Sequence, residues 1–183
     1  MKHPKIKCTK QILGIAFLSF ATMISSCTKT ETIPPAGDPA TVTDVDGNVY
    51  KTVRIGTQLW TVENLRTTRY NDSTSITTGL SDNDWRDATK GAYAIYDGDN
   101  ANNTTYGKLY NWYAVNTGKL APKGWHVPSD AEWTTLITFL GGNNVAGAAL
   151  KDNSNLWQSP NLANNSSKFK ALPGGFRNSI YGD

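Results

Sequence analysis

Every tryptophan and every tyrosine of this 183-residue chain lies between Tyr50 and Tyr181. Rings of that size stabilise a fold only when most of their area leaves water. The part of the chain that must build a core therefore begins close to residue 42. Between the rings the sequence is rich in Asn, Thr, Gly and Asp, which favour turns and short elements over long ones. Aromatic residues at 10% with charged residues at 18% do not suit a disordered chain. No internal repeat of solenoid or propeller period is present, so the expectation is one domain behind an appendage.

The appendage reads as an address. Lys2, Lys5, Lys7 and Lys10 form a basic start, and an uncharged apolar run follows from residue 11 to 24. That is the layout of a secretory signal over residues 1–26. Ile24-Ser25-Ser26-Cys27 resembles the lipobox of bacterial lipoproteins, which implies cleavage after Ser26 and lipidation of Cys27. The competing reading is an uncleaved signal anchor. The uncharged run is only just long enough to span, and its last third is Ser, Thr and Cys. A triacylated cysteine would hold stably to a membrane, because each chain buries many methylenes. Thr28 stands where an inner-membrane retention signal usually shows Asp, so the resemblance favours an outer-membrane lipoprotein, facing the periplasm or the medium. Residues 27–41 hold three prolines and no aromatic residue, and read as an extended tether. The weak net charge of +3 belongs to the address, since removing the four leading lysines leaves the rest near neutral.

Within 42–183 the local signals are mixed. Val45-Asp46-Gly47-Asn48-Val49 carries an Asp-Gly turn, and Val49, Val53 and Ile55 alternate as one buried face of a hairpin. Leu59-Trp60-Thr61-Val62 predicts a third strand. Residues 71–105 read as a polar surface excursion anchored by Tyr93 and Tyr96 in a short strand. Ser129 with Glu132 forms a capping box, and Trp133, Leu136, Ile137 and Leu140 follow at helical spacing before Gly141. A second helix is expected over Tyr106–Val115, with Leu109, Trp112 and Tyr113 on one face, and a short third over Val145–Lys151. The expected class is α+β.

Six ordered blocks carry a resemblance. They run from Thr43-Asp44-Val45-Asp46-Gly47-Asn48-Val49-Tyr50 through Ile55-Gly56-Thr57-Gln58-Leu59-Trp60, Glu63-Asn64-Leu65, Tyr106–Val115 and Gly124–Trp133 to Leu172-Pro173-Gly174-Gly175-Phe176-Arg177. Together they resemble the Fibrobacter succinogenes major paralogous domain of secreted and lipid-anchored bacterial proteins. Val127-Pro128-Ser129-Asp130-Ala131-Glu132-Trp133 is more loosely similar to a segment of the formylglycine-generating, sulfatase-modifying enzymes, which implies a C-type-lectin-like fold. Members of the paralogous family usually continue past Pro-Gly-Gly-Phe-Arg into a Gly- and Trp-rich stretch and a last strand. The expectation is therefore a C-terminally truncated or degenerate copy.

The composition excludes several chemistries. Cys8 and Cys27 are the only cysteines, so the mature domain has neither the copper-binding pair that formylglycine generation needs nor a cysteine nucleophile. A Ser-His-Asp triad would have to use His126, which beside Trp125 and a capped helix reads as a structural histidine. Paired carboxylates for a polysaccharide hydrolase are possible in number, but no spacing singles out a pair. There is no phosphate loop and no basic stripe, so neither nucleotide nor nucleic acid is an expected partner. Asp97, Asp99 and Asn100 cluster oxygen ligands on a loop suited to calcium, yet they depart from the EF-hand template, and a plain polar turn competes with that reading. No other cofactor is expected. Trp60, Trp112, Trp125 and Trp133 fall on motif positions and are expected in the core. Trp85 and Trp157, flanked by Asp, Asn, Ser and Gln, are the candidates for exposed ligand contact. Asp72-Ser73-Thr74 resembles a short O-glycosylation acceptor. The function expected is a non-enzymatic, lipid-anchored adhesion module for glycan or another surface partner, with a structural assembly protein of the outer membrane as the alternative.

Overall fold

Asp44 sets the first element. In the computed structural model, which describes Gly37 and residues 40–178, its Oδ1 accepts the backbone N–H groups of Asp46 and Asn48, both at 2.9 Å. Its Oδ2 takes Asn48 Nδ2 at 2.8 Å and the Tyr50 hydroxyl at 2.6 Å. A side chain that holds two turn N–H groups closes the chain on itself. The expected leader 1–26, Cys27 and most of the expected tether over 27–41 lie outside the described residues.

The hairpin follows. Strand β1 (Thr41–Thr43) runs antiparallel to β2 (Val49–Ile55), with Val42 opposite Tyr50. The expected single buried face is corrected here: Val49 is 53% exposed, and its neighbour Tyr50 is fully buried. The start of β2 faces the 66–70 segment, where Arg66 N–H donates to the Tyr50 oxygen at 2.9 Å. The end of β2 instead buries Ile55 with Trp60 and Leu136. A strand whose ends serve two different clusters has no single inner side. After the Gly56-Thr57 turn, β3 (Gln58–Thr61) pairs antiparallel with β2. Gly56 has φ +61°, and a Cβ there would sit 2.9 Å from the Phe139 ring, so only glycine fits.

One core cluster gathers on this sheet. Trp60 meets Trp133 with ring centroids 4.8 Å apart and Phe169 at 5.7 Å. Trp133 comes from helix α4 (Asp130–Phe139), which begins in the expected capping box at Ser129. Helix α5 (Asn143–Leu150) follows. The second cluster joins Tyr70, Ile76, Tyr93, Ala114 and Leu120. It sits around the two-stranded pair of β4 (Tyr93–Ala94) and β5 (Leu109–Tyr110). The 71–105 excursion also carries helix α1 (Asp82–Arg86), a 3-10 turn over Tyr96–Gly98 and helix α2 (Asn100–Tyr106). Tyr96 lies in that turn, not in the short strand as expected, and is 45% exposed.

The expected helix over 106–115 is also corrected. Helix α2 ends at Tyr106, the chain becomes β5, and only then does a short α3 (Trp112–Val115) form. Tertiary contact breaks the pattern at Gly107. With φ +70°, its backbone passes where a Cβ would lie 2.7 Å from Leu65 O, and Lys108 N–H donates to that oxygen at 3.0 Å. Asn111 Oδ1 then caps α3 at Ala114 N–H and also holds Ala92 N–H, both at 3.0 Å. Trp112, expected in the core, is 67% exposed.

Asp46 ties the hairpin to the next segment. It accepts from Thr68 N–H, from Thr68 Oγ1 at 2.8 Å and from Arg69 Nε at 2.6 Å. Burial alone would raise its pKa, but the hydrogen bonds from Thr68, Arg69 and Thr67 outweigh it and hold the carboxyl at about 2. The domain is α+β, with small sheets and short helices. Among the described residues no helix is long and apolar enough to cross a membrane.

Candidate functional site

The segment 172–177 returns across α1 and fixes one groove. Arg177 Nη2 donates to Leu80 O at 3.0 Å and to Asp82 Oδ1 at 2.9 Å. Its guanidinium lies 4.6 Å from the centre of the Trp85 ring. A cation over an indole face is attracted to it, and the planar group also covers the ring. Trp85 is therefore only 6% exposed, which corrects its expected role as an exposed contact. Its polar neighbours on α1 face solvent while the ring turns inward beneath Arg177. Two residues earlier, Gly175 has φ +68°, and a Cβ there would lie 2.7 Å from the Tyr96 ring. The glycine lets backbone lie against Tyr96, whose other neighbour is the Tyr106 ring at 6.1 Å.

These contacts leave a groove of about 630 Å³, lined by Leu80, Asp82, Tyr96, Asp97, Phe176 and Arg177 among others. Its two rings are accessible, Tyr96 at 45% and Phe176 at 76%. Its two carboxylates differ in employment. Asp82 holds Arg177 through one oxygen, whereas among the described residues no hydrogen bond engages the side chain of Asp97, which sits at φ +55° in the 3-10 turn. Hydroxyl-bearing ligands suit such a site, because ring faces stack on apolar sugar faces and carboxylates accept the hydroxyls.

The sequence candidates separate in space. Asp97 lines the groove. Asp99 caps α2, with Oδ1 accepting Ala101 N–H at 2.9 Å, and Asn100 is the first residue of that helix. Among the described residues no group of three or more His, Cys, Asp or Glu side chains is placed to hold a metal ion. Trp157 is half-buried and does not line the groove. Its Nε1 donates to Ala171 O at 3.1 Å, and Lys151 Nζ lies 4.6 Å from its ring centre. Sequence reasoning did not single out Tyr96 and Phe176 as residues that line a groove. The signal was the Gly174-Gly175 pair before Phe176, which lets backbone approach a ring and leaves the next side chain outside.

A second groove, of about 610 Å³, lies between β3 and the 121–128 loop. Trp125 is half-buried in its wall. His126 Nε2 lies 2.7 Å from Glu132 Oε1. Glu132 Oε2 accepts Ser129 N–H at 2.9 Å and Ser129 Oγ at 2.8 Å. The Ser129 bonds first, and His126 after them, hold the Glu132 carboxyl at about 2. Gln58 Nε2 spans from β3 to Glu132 O at 3.0 Å.

Residues 53–182 match the family model described as the Fibrobacter succinogenes major domain. No curated protein and no solved structure matches the chain. The matched span includes β3, both grooves and the Arg177 clasp, and covers well over half of the sequence. The chain belongs to the Fibrobacter succinogenes major domain family.

Proposed function

We propose that this protein is a lipid-anchored, non-enzymatic binding module of the outer membrane that holds a glycan in the groove between Tyr96 and Phe176. The anchor would be Cys27, and the domain a C-type-lectin-like variant of the α+β class. One observation supports the reading above the others: two exposed rings flank a carboxylate, Asp97, that no other side chain among the described residues engages. Calcium would act at Asp97, since Oδ1 of Asp99 is taken by the cap of α2.

The test is a glycan array probed with the full chain, with and without calcium. Phe176→Ala removes a ring that is 76% exposed, so folding is unchanged while affinity falls about tenfold, the loss of one stacking contact of about 1.4 kcal/mol. An array with no positive glycan in either condition defeats the reading. Cys27→Ala should abolish metabolic palmitate labelling and release the protein from membranes.

A second reading, a structural assembly protein of the outer membrane, draws support from Trp112 at 67% and Tyr113 at 44% exposure, adjacent on α3. In-envelope cross-linking through position 112 that captures a stoichiometric protein neighbour would favour it.

A further inference from the structure

Among the described residues, strand β3 has a partner on one side only. Its neighbour is β2, and none of those residues forms a strand or bridge on its other edge. The register shows which backbone groups face that open side. In an antiparallel ladder, pairs that exchange both hydrogen bonds alternate with pairs that exchange none. Val62 N–H donates to Lys51 O at 2.9 Å, which marks that pair as bonded. Two steps along are Val53 opposite Trp60, and two more are Ile55 opposite Gln58 at the turn. Arg54 opposite Leu59 and Thr52 opposite Thr61 are then the non-bonded pairs. Leu59 and Thr61 consequently point their N–H and C=O groups away from the sheet.

Both residues are half-buried, and no hydrogen bond among the described residues engages their outward backbone groups. Partly dehydrated backbone donors and acceptors without partners are costly and tend to be filled. They open onto the 610 Å³ groove, whose far wall is the 121–128 loop. That loop does not complete the ladder. Pro122 and Pro128 lack an N–H, and Trp125 N–H is spent on Pro122 O at 2.9 Å. What the wall offers is side chain, from Trp125 and Val127. The groove's ionised group, Glu132, already bonds Ser129 and His126, so the space suits uncharged residues.

We propose that the open edge of β3 takes an extended, uncharged segment of another polypeptide, which becomes the fourth strand of the β1–β2–β3 sheet. The free groups of Leu59 and Thr61 repeat at about 7 Å, the two-residue period of a strand. A ligand strand would meet both through one residue and the next but one, while alternate side chains enter the Trp125 wall. The Tyr96–Phe176 groove has no part in this contact.

The probe is a fluorescein-labelled peptide of six alternating Thr and Val residues, flanked by lysines for solubility, added to the full chain. Its fluorescence anisotropy should rise on binding, and the same peptide N-methylated through the central six should bind at least tenfold more weakly. Amide hydrogen exchange supplies the signature. Trp60 and Val62 should be protected with or without peptide, while Leu59 and Thr61 should exchange freely alone and become protected when it binds. Thr61→Pro removes an outward N–H that no ladder bond uses and should weaken binding about tenfold, and Phe176→Ala should leave it unchanged. If that proline unfolds the domain, the exchange pattern of the unmodified chain decides. No binding, binding indifferent to N-methylation, or unchanged exchange at Leu59 and Thr61 would overturn the proposal. So would protection of the same amides by a glycan or by self-association.

Discussion

Tyr50→Phe removes one oxygen and should cost more than the loss of an ordinary neutral hydrogen bond. The side chain is fully buried. Its hydroxyl donates to Asp44 Oδ2 at 2.6 Å and accepts Arg66 N–H at 2.9 Å. Burial first, and the Asp44 carboxylate second, push the phenol well above its ordinary pKa, so it remains a donor throughout the working range. A hydrogen bond to a charged acceptor contributes about 1.5–3 kcal/mol, and a part-buried N–H left without an acceptor costs about 1 kcal/mol or more. The expected loss is therefore about 3 kcal/mol. With a urea slope of about 2 kcal/mol per molar, the unfolding midpoint should fall by about 1.5 M. Tyr110→Phe is the internal comparison, because its hydroxyl donates to one neutral acceptor, Thr67 O, at 2.7 Å. That variant should lose only about 1 kcal/mol. The assay is urea unfolding followed by far-UV circular dichroism on all three proteins. Equal losses for the two variants, or a loss below about 1 kcal/mol for Tyr50→Phe, would refute the claim that the Asp44–Tyr50–Arg66 chain holds the hairpin.

Asp46 gives the pH dependence. Its folded pKa lies near 2, below the ordinary value of an aspartate carboxyl. The stability it contributes is present above the unfolded value and is lost as pH falls from about 4 towards 2. Asp46→Asn should lower stability at neutral pH and flatten that acid limb, read by thermal unfolding at stepped pH. Ser129→Ala removes the cap of α4 and should cost about 1 kcal/mol in urea unfolding. It should also change the His126 chemical shifts, because Glu132 is shared between the cap and that ring.

The features legible in the sequence share a short range. The Asp-Gly turn and the Ser129 box are closed by side chains bonding backbone within four residues, so their geometry is written in adjacent letters. The 106–115 segment failed for the opposite reason. Its helical spacing of Leu109, Trp112 and Tyr113 is genuine, but Gly107 meets Leu65 and β5 meets β4, and those contacts decide its conformation. The site residues were less legible still. Asp97 was singled out only as part of an oxygen-rich loop, Phe176 was marked only by the glycine pair before it, and Tyr96 carried no local mark of exposure.

The crowding of rings after Tyr50 determined where core material lies, and the Asp-Gly turn and the Ser129 box determined that the class is mixed. None of these determined which rings would be inside. Trp85 sits among polar neighbours and is buried, because Arg177 arrives from far along the chain to cover it. Trp112 sits in an apolar pattern and is exposed, because α3 buries Ala114 instead. Caps and turns are settled by bonds between near neighbours. Burial is settled by whichever remote segment comes to lie on a surface, and only the folded chain brings that segment there.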